Sequence, residues 1–274
     1  MSERQNYSIF LDDKLLNNRC TKPVQSYCVS SQSRGIVNTD KLRVRVWRSA
    51  TAGLAAYDVP RYESQTVLDV VTFIQRQLQP DLAYRFACRV GMCGSCAMNV
   101  NGKARWTCRT HVSKVAVNDE LEIAPLSNLP VIKDLVTDMS DFFDKWSRAK
   151  GQFSGSRTRH DDFATVSPES TQRKAADAGI ECIGCGVCYS SCDVVTWRPD
   201  YLGPAALNRA WTLVNDERDT QTLERLRAVA GDAGCHSCHT QATCTERCPK
   251  HLSPTAGIAG LKRMTMKAAR EGDL

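Results

Sequence analysis

Cys182-Ile-Gly-Cys185-Gly-Val-Cys188-Tyr-Ser-Ser-Cys192 carries thiols at the spacing C-x2-C-x2-C-x3-C. Thiolates so spaced wrap an iron–sulfur cube, and in two-cluster proteins the fourth cysteine of such a run ligates the other cluster. One run is therefore half of a site and requires a second. It follows at Cys238-x2-Gln241-x2-Cys244-x3-Cys248-Pro249, with Gln241 where the second cysteine belongs. Exchange of the fourth cysteines pairs Cys182, Cys185 and Cys188 with Cys248, a full set for a [4Fe–4S] cluster. It pairs Cys192 with Cys238 and Cys244. A carboxamide is a poor iron ligand beside thiolates, so the vacant corner at Gln241 points to a [3Fe–4S] cluster. Cys235 lies on the wrong side of Cys238 to fill that corner and reads as a free thiol near the cluster.

A third set stands earlier: Cys88-x4-Cys93-x2-Cys96, with Cys108 beyond. C-x4-C-x2-C with a distant fourth cysteine is the plant-type [2Fe–2S] spacing. Gly91 and Gly94 let the loop fold so that backbone N–H groups face sulfur. Zinc also takes four cysteines, but the x4 spacing and the glycine positions favour iron.

These residues need elements to hold them. Leu42, Val44 and Val46 alternate with Arg43 and Arg45, which predicts a half-buried strand with Ala55–Tyr62 as its hairpin partner. Thr66 is placed to cap a helix carrying Val67, Leu68, Val70, Val71, Ile74 and Leu78 and stopping before Pro80. Asn101-Gly102 between two apolar stretches predicts a hairpin that returns Cys108 to the loop. Leu121 and Ile123 give a last strand. This is a small α+β domain of β-grasp-like order over 41–128. From 129 the expectation is an all-helical domain, 129–274, threaded by the two ferredoxin-type runs. Helical spacing covers Val131–Lys150 through Ile132, Leu135, Val136, Met139, Phe142, Phe143 and Trp146. Gly151–Arg173 reads as a long connection. Pro204 suits the first turn of Ala205–Val214. Leu223, Leu226 and Val229 line another helix, and Pro254 opens a last one bearing Ile258, Leu261 and Met264. Residues 1–40 read as a mobile N-terminal extension with free thiols at Cys20 and Cys28.

Composition narrows the class. Hydrophobic residues make up 42% of 274 residues, enough for real cores. Residues 1–40 show no apolar signal segment and include Asp12 and Asp13, so clustered cysteines are read as metal or redox groups in a reducing compartment. No apolar run is long enough to span a bilayer. The net charge of +6 is spread among acids, and nucleic-acid binding is not expected.

The order [2Fe–2S], [4Fe–4S], [3Fe–4S] resembles the iron–sulfur subunits of succinate dehydrogenase (succinate:quinone oxidoreductase, complex II) and of fumarate reductase. The likeness covers about residues 41–270. It rests on the Cys88–Cys108 set, Leu129-Pro-Val-Ile-Lys-Asp-Leu-Val-Thr-Asp-Met139, Gly203-Pro-Ala-Ala206 and Cys248-Pro-Lys. It implies an electron wire from FAD in a flavoprotein subunit, through three clusters, to quinone at a membrane anchor, with no organic substrate site in this chain. It implies a peripheral position on the cytoplasmic face of a bacterial inner membrane, or on the matrix face of the mitochondrial one. Trp197 matches a tryptophan of the quinone pocket in ubiquinone-type members, and His239 a histidine beside the [3Fe–4S] cluster. Thr196 stands where such members often have another Trp, and Asp193 where they have Pro. A quinol:fumarate reductase subunit and a soluble multi-cluster carrier are the alternatives.

Overall fold

The computed structural model describes residues 41–274; Cys20, Cys28 and the rest of the N-terminal extension lie outside the described residues. β1 (Lys41–Arg48) alternates as expected: Leu42, Val44 and Val46 are fully buried, while Arg43 and Arg45 face out. It pairs antiparallel with β2 (Gly53–Pro60) along its whole length, Lys41 opposite Pro60 and Arg48 opposite Gly53. Helix α1 (Val67–Phe73) begins at a capping box. The Thr66 hydroxyl accepts from the Asp69 N–H at 3.2 Å, and the Asp69 carboxylate accepts from the Thr66 N–H at 3.0 Å. The helix widens into a π-turn over Ile74–Leu78 and ends before Pro80. Strands β3 (Ala97–Val100) and β4 (Lys103–Trp106) form the hairpin, with Asn101 and Gly102 at φ 49° and 72°. Both central residues at positive φ suit the twist of a two-residue hairpin turn. After α2 (Val112–Val115), β5 (Glu120–Ala124) slots between β1, which it pairs in parallel, and β3, giving the order β2-β1-β5-β3-β4. The buried face of this sheet and the apolar face of α1 share one core of Val44, Val46, Ile123, Val67, Val70 and Ile74.

The helix expected over Val131–Lys150 is shorter than its spacing implies. Residues before 138 form a hairpin, β6 (Val131–Lys133) and β7 (Val136–Thr137), and only α3 (Ser140–Arg148) is helical. Asp134 decides this. It sits at φ 48°, outside the helical region, and is 1% exposed. Its carboxylate accepts from Arg48 Nε at 3.1 Å, Ser49 N–H at 2.9 Å and Ala83 N–H at 2.9 Å. Leu135 is thereby turned into the sheet core, and Ile132 is left 60% exposed.

The connection that follows ends at α4 (Thr171–Ile180), whose Arg173 N–H is capped by the Ser170 hydroxyl at 3.0 Å. Short helices α5 (Val187–Ser190) and α6 (Asp193–Trp197) flank Cys192. Next come α7 (Gly203–Val214), with Pro204 in its first turn, and α8 (Thr222–Ala230). The chain closes with α9 (Thr243–Glu246) and α10 (Pro254–Glu271). Leu207 and Ala210 of α7, Leu226 and Val229 of α8, and Ile258 and Leu261 of α10 share a second core; Leu223 stays exposed at the start of α8. That core also takes Ala97, Ala104, Leu126 and Leu129 from the sheet side. Among the described residues, no helix is long and apolar enough to cross a membrane.

Candidate metal centres

Cys88, Cys93 and Cys96 lie on the loop before and into β3; Cys108 lies in the 3-10 turn after β4. The hairpin brings the two together: the buried Cys108 thiol faces those of Cys96 and Cys88. Backbone N–H groups converge on sulfur. Cys88 Sγ accepts from Val90 at 3.4 Å, Met92 at 3.2 Å and Cys93 at 3.3 Å, and Cys93 Sγ from Cys88 at 3.5 Å. These N–H groups hold the Cys88 thiol below its usual range; the Cys88 N–H and the Ser95 hydroxyl bring Cys93 down to about 6. Burial pushes Cys108 up to about 12. The loop can wrap because Arg89, Gly91 and Gly94 adopt φ 58°, 78° and 72°.

The two later runs surround two separate cavities. One is lined by Cys182, Cys185, Cys188 and Cys248. The other is lined by Cys192, Cys238 and Cys244, with Gln241 and His239 in the same wall. Each thus draws its cysteines from both runs. The two loops also share a backbone path. Gly184 and Gly186, on either side of Cys185, have φ 62° and 76°; Thr240 and Ala242, on either side of Gln241, have φ 60° and 62°. A threonine in that region is strained, yet the second loop keeps the turn that puts Gln241 at the place of Cys185.

Other candidates fall differently. Cys235 is fully buried but lines neither cavity; its Sγ lies 3.8 Å from Thr265 Oγ1, and burial pushes its thiol up. His236 reaches the same Thr265 hydroxyl at 3.0 Å. The Trp197 indole meets the His239 imidazole edge-on, ring centroids 6.2 Å apart and planes at 73°, with Trp197 61% exposed.

Several residues that shape these sites carry no signal in spacing. The Asn128 carboxamide donates to the carbonyls of Tyr189 at 3.2 Å, Ser190 at 3.4 Å and Cys192 at 3.2 Å, and accepts from Thr196 Oγ1 at 2.8 Å. Lys262 Nζ donates to the Cys238 carbonyl at 2.7 Å. Tyr201, 1% exposed, walls the second cavity. Only the fixed positions of distant segments bring these groups to the cysteines.

The donor sets fit iron–sulfur clusters. Burial raises the thiols of Cys182, Cys185 (to about 12) and Cys188 in the first cavity, and of Cys192 and Cys244 in the second. Buried without a cation, these groups stay as neutral thiols; a cationic iron–sulfur centre among them would supply the charge that thiolates need there. Backbone N–H groups aimed at sulfur, as around Cys88, are what the sulfur atoms of a cluster accept.

Comparison with known proteins agrees with this arrangement. Residues 41–144 match the model of a 2Fe-2S iron-sulfur cluster binding domain, and residues 181–253 that of a 4Fe-4S dicluster domain. The chain is 36% identical over 203 residues to the mitochondrial succinate dehydrogenase [ubiquinone] iron-sulfur subunit 1 of Oryza sativa subsp. japonica, covering 74% of this chain and 72% of that one. It is 33% identical to the fumarate reductase iron-sulfur subunit of Haemophilus influenzae, covering 81% and 90%. Among solved structures it superposes on a chain of the Mycobacterium smegmatis Sdh1 complex in the apo form with a TM-score of 0.73 at 29% identity, covering 84% of this chain and 96% of that one. With a [2Fe–2S] domain, a dicluster domain and these relatives over most of its length, the chain belongs to the electron-transferring iron–sulfur subunits of the succinate dehydrogenase and fumarate reductase family.

Proposed function

We propose that this chain is the wire of a succinate:quinone oxidoreductase, taking electrons from FAD in a flavoprotein subunit and delivering them to quinone at a membrane anchor. Cys88, Cys93, Cys96 and Cys108 would hold a [2Fe–2S] cluster. Cys182, Cys185, Cys188 and Cys248 would hold a [4Fe–4S] cluster, and Cys192, Cys238 and Cys244 a [3Fe–4S] cluster. When bound, these groups supply one-electron centres, so that a two-electron oxidation can be passed on in single steps. The observation that carries the reading is the sorting of the two runs into two cavities, one with four cysteines and one with three plus Gln241.

The chain's residues serve that task by position. The loop Arg89–Ser95, with Val90 57% and Met92 63% exposed, would face the flavoprotein. His239, in the wall of the three-cysteine cavity, and Trp197, edge-on to it and exposed, would line the quinone site; an indole N–H there can donate to a quinone oxygen. The proposed domains are 41–128 for the first cluster and 129–274 for the other two. The whole would sit peripherally on the cytoplasmic face of a bacterial inner membrane, held by the anchor. The relative from Haemophilus influenzae favours a second reading, a quinol:fumarate reductase subunit. The ratio of succinate oxidation to fumarate reduction in the purified complex separates the two.

The experiment is anaerobic purification with iron and sulfide assay, together with identification of co-purifying chains. About nine irons per chain are expected, with a flavoprotein and an anchor alongside. Stoichiometric zinc, or about four irons in a chain that purifies alone, would overturn the reading.

A further inference from the structure

Lys145 on α3 is buried almost completely, its side chain 2% exposed. A buried ammonium is costly unless paired. Here Nζ donates to the Tyr189 hydroxyl at 2.7 Å and pairs with the Asp141 carboxylate at 2.9 Å, one helical turn earlier. The Tyr189 hydroxyl in turn donates to Asp141 at 2.9 Å. Burial raises the Asp141 carboxyl, but the hydrogen bonds from Lys145 and Tyr189 outweigh it and hold the group below the usual carboxylate range.

The place of this triad is what matters. Tyr189 directly follows Cys188, and its ring is fixed edge-on by Phe142, centroids 5.4 Å apart. The flank of α3 lies along the same cysteine loop: a Cβ on Gly186 would meet Met139 Cε at 3.2 Å, and one on Gly184 would meet Phe143 Cε1 at 3.9 Å. The two charges are unequally screened. The Asp141 side chain is 54% exposed and faces water, whereas the ammonium lies inside. Water screens the outer charge far more than the inner one. The ammonium is therefore the less screened charge of the pair, on a helix whose flank packs on the loop Cys182–Cys188.

We propose that Lys145 is a positioning residue that raises the reduction potential of the cluster held by Cys182, Cys185, Cys188 and Cys248, with Asp141 as its opposing weight. The proposal rests on the reading of those four cysteines as [4Fe–4S] ligands. An added electron makes the cluster more negative, and a fixed interior cation favours that state.

The test is redox titration of the purified complex, followed by low-temperature EPR of the reduced [4Fe–4S] signal. Lys145→Met is expected to shift the midpoint to lower potential, Asp141→Asn to higher potential, and Lys145→Arg to leave it near the wild type. Opposite signs at the two ends of one ion pair are the signature of a field; a purely structural role gives no shift, or the same sign for both. Unchanged midpoints, or shifts of one sign, overturn the proposal. If Lys145→Met fails to assemble, the partly exposed Asp141→Asn decides alone: an upward shift supports the proposal, and no shift or a downward one overturns it. A wild-type complex with no [4Fe–4S] signal would instead defeat the ligand reading itself.

Discussion

Gly94 of the first cysteine loop lies directly on Cys185 of the second: a Cβ added to Gly94 would stand 2.7 Å from Cys185 Cβ and 2.9 Å from its Cα. Gly94 also holds φ +72°. The [2Fe–2S] loop and the four-cysteine cavity thus meet at a point that admits no side chain. Gly94→Ala should force the loops apart and strain the turn, costing about 1–3 kcal/mol. Thermal unfolding of the complex measures that loss. Rapid-mixing reduction by succinate should show the second cluster filling more slowly while the first fills at the wild-type rate. Wild-type behaviour in both would mean that this contact does not set the spacing.

Gln241 sits in the wall of the three-cysteine cavity, on a turn that repeats the path around Cys185. Gln241→Cys offers a fourth thiolate at that corner. The expected product is a [4Fe–4S] cluster of lower potential, because a further anionic ligand disfavours the reduced state. EPR of the air-oxidised complex should lose the three-iron signal expected from the proposed [3Fe–4S] cluster, and quinone reduction should slow. Persistence of the signal in a fully loaded variant would move the vacant corner elsewhere.

Trp197→Leu tests the quinone site proposed at Trp197 and His239. It removes an exposed indole that touches His239. Quinone reduction should fall by at least about tenfold, a loss of about 1.4 kcal/mol, while succinate oxidation by an artificial acceptor drawing electrons upstream is spared. Equal loss of both activities would mark Trp197 as packing only.

Asp134→Asn should unfold the sheet half more readily. The carboxylate neutralises Arg48, whose side chain is 5% exposed, and accepts two backbone N–H groups. Arg48 keeps the half-exposed Asp81 carboxylate at 2.6 Å, so losing its buried partner costs about 3 kcal/mol, the low end for a broken buried pair. Burial works against the charged form of Asp134, but the Ala83 and Ser49 N–H groups and Arg48 outweigh it and hold its pKa below the usual value. A depressed carboxyl stabilises the fold above the unfolded pKa of about 4 and loses that contribution as pH falls through the folded one. The gap between wild type and variant, read from denaturant midpoints, should be full at neutral pH and narrow below about pH 4. A gap independent of pH would show that the lost interaction is not ionic.

Much of the molecule was legible in the chain because the governing physics is local. Cysteine spacing constrains which thiols share a cluster, since a few residues of backbone reach only so far. Alternation in Leu42–Val46, the cap at Thr66, the turn at Asn101-Gly102 and Pro204 at a helix start all act within one turn or one strand pair. What only the tertiary structure decided depends on groups far apart in sequence. Periodicity from Val131 onward implied a helix, but Arg48, 86 residues away, and Ala83 require Asp134 at a left-handed bend, and the hairpin wins. The seating of Gly94 on Cys185, the grip of Asn128 on the Cys192 carbonyl and the burial of Lys145 beside Tyr189 have the same origin. Each is a close contact or a buried charge that exists only once two cores have packed, and no periodicity in a single sequence encodes which distant partner will be there.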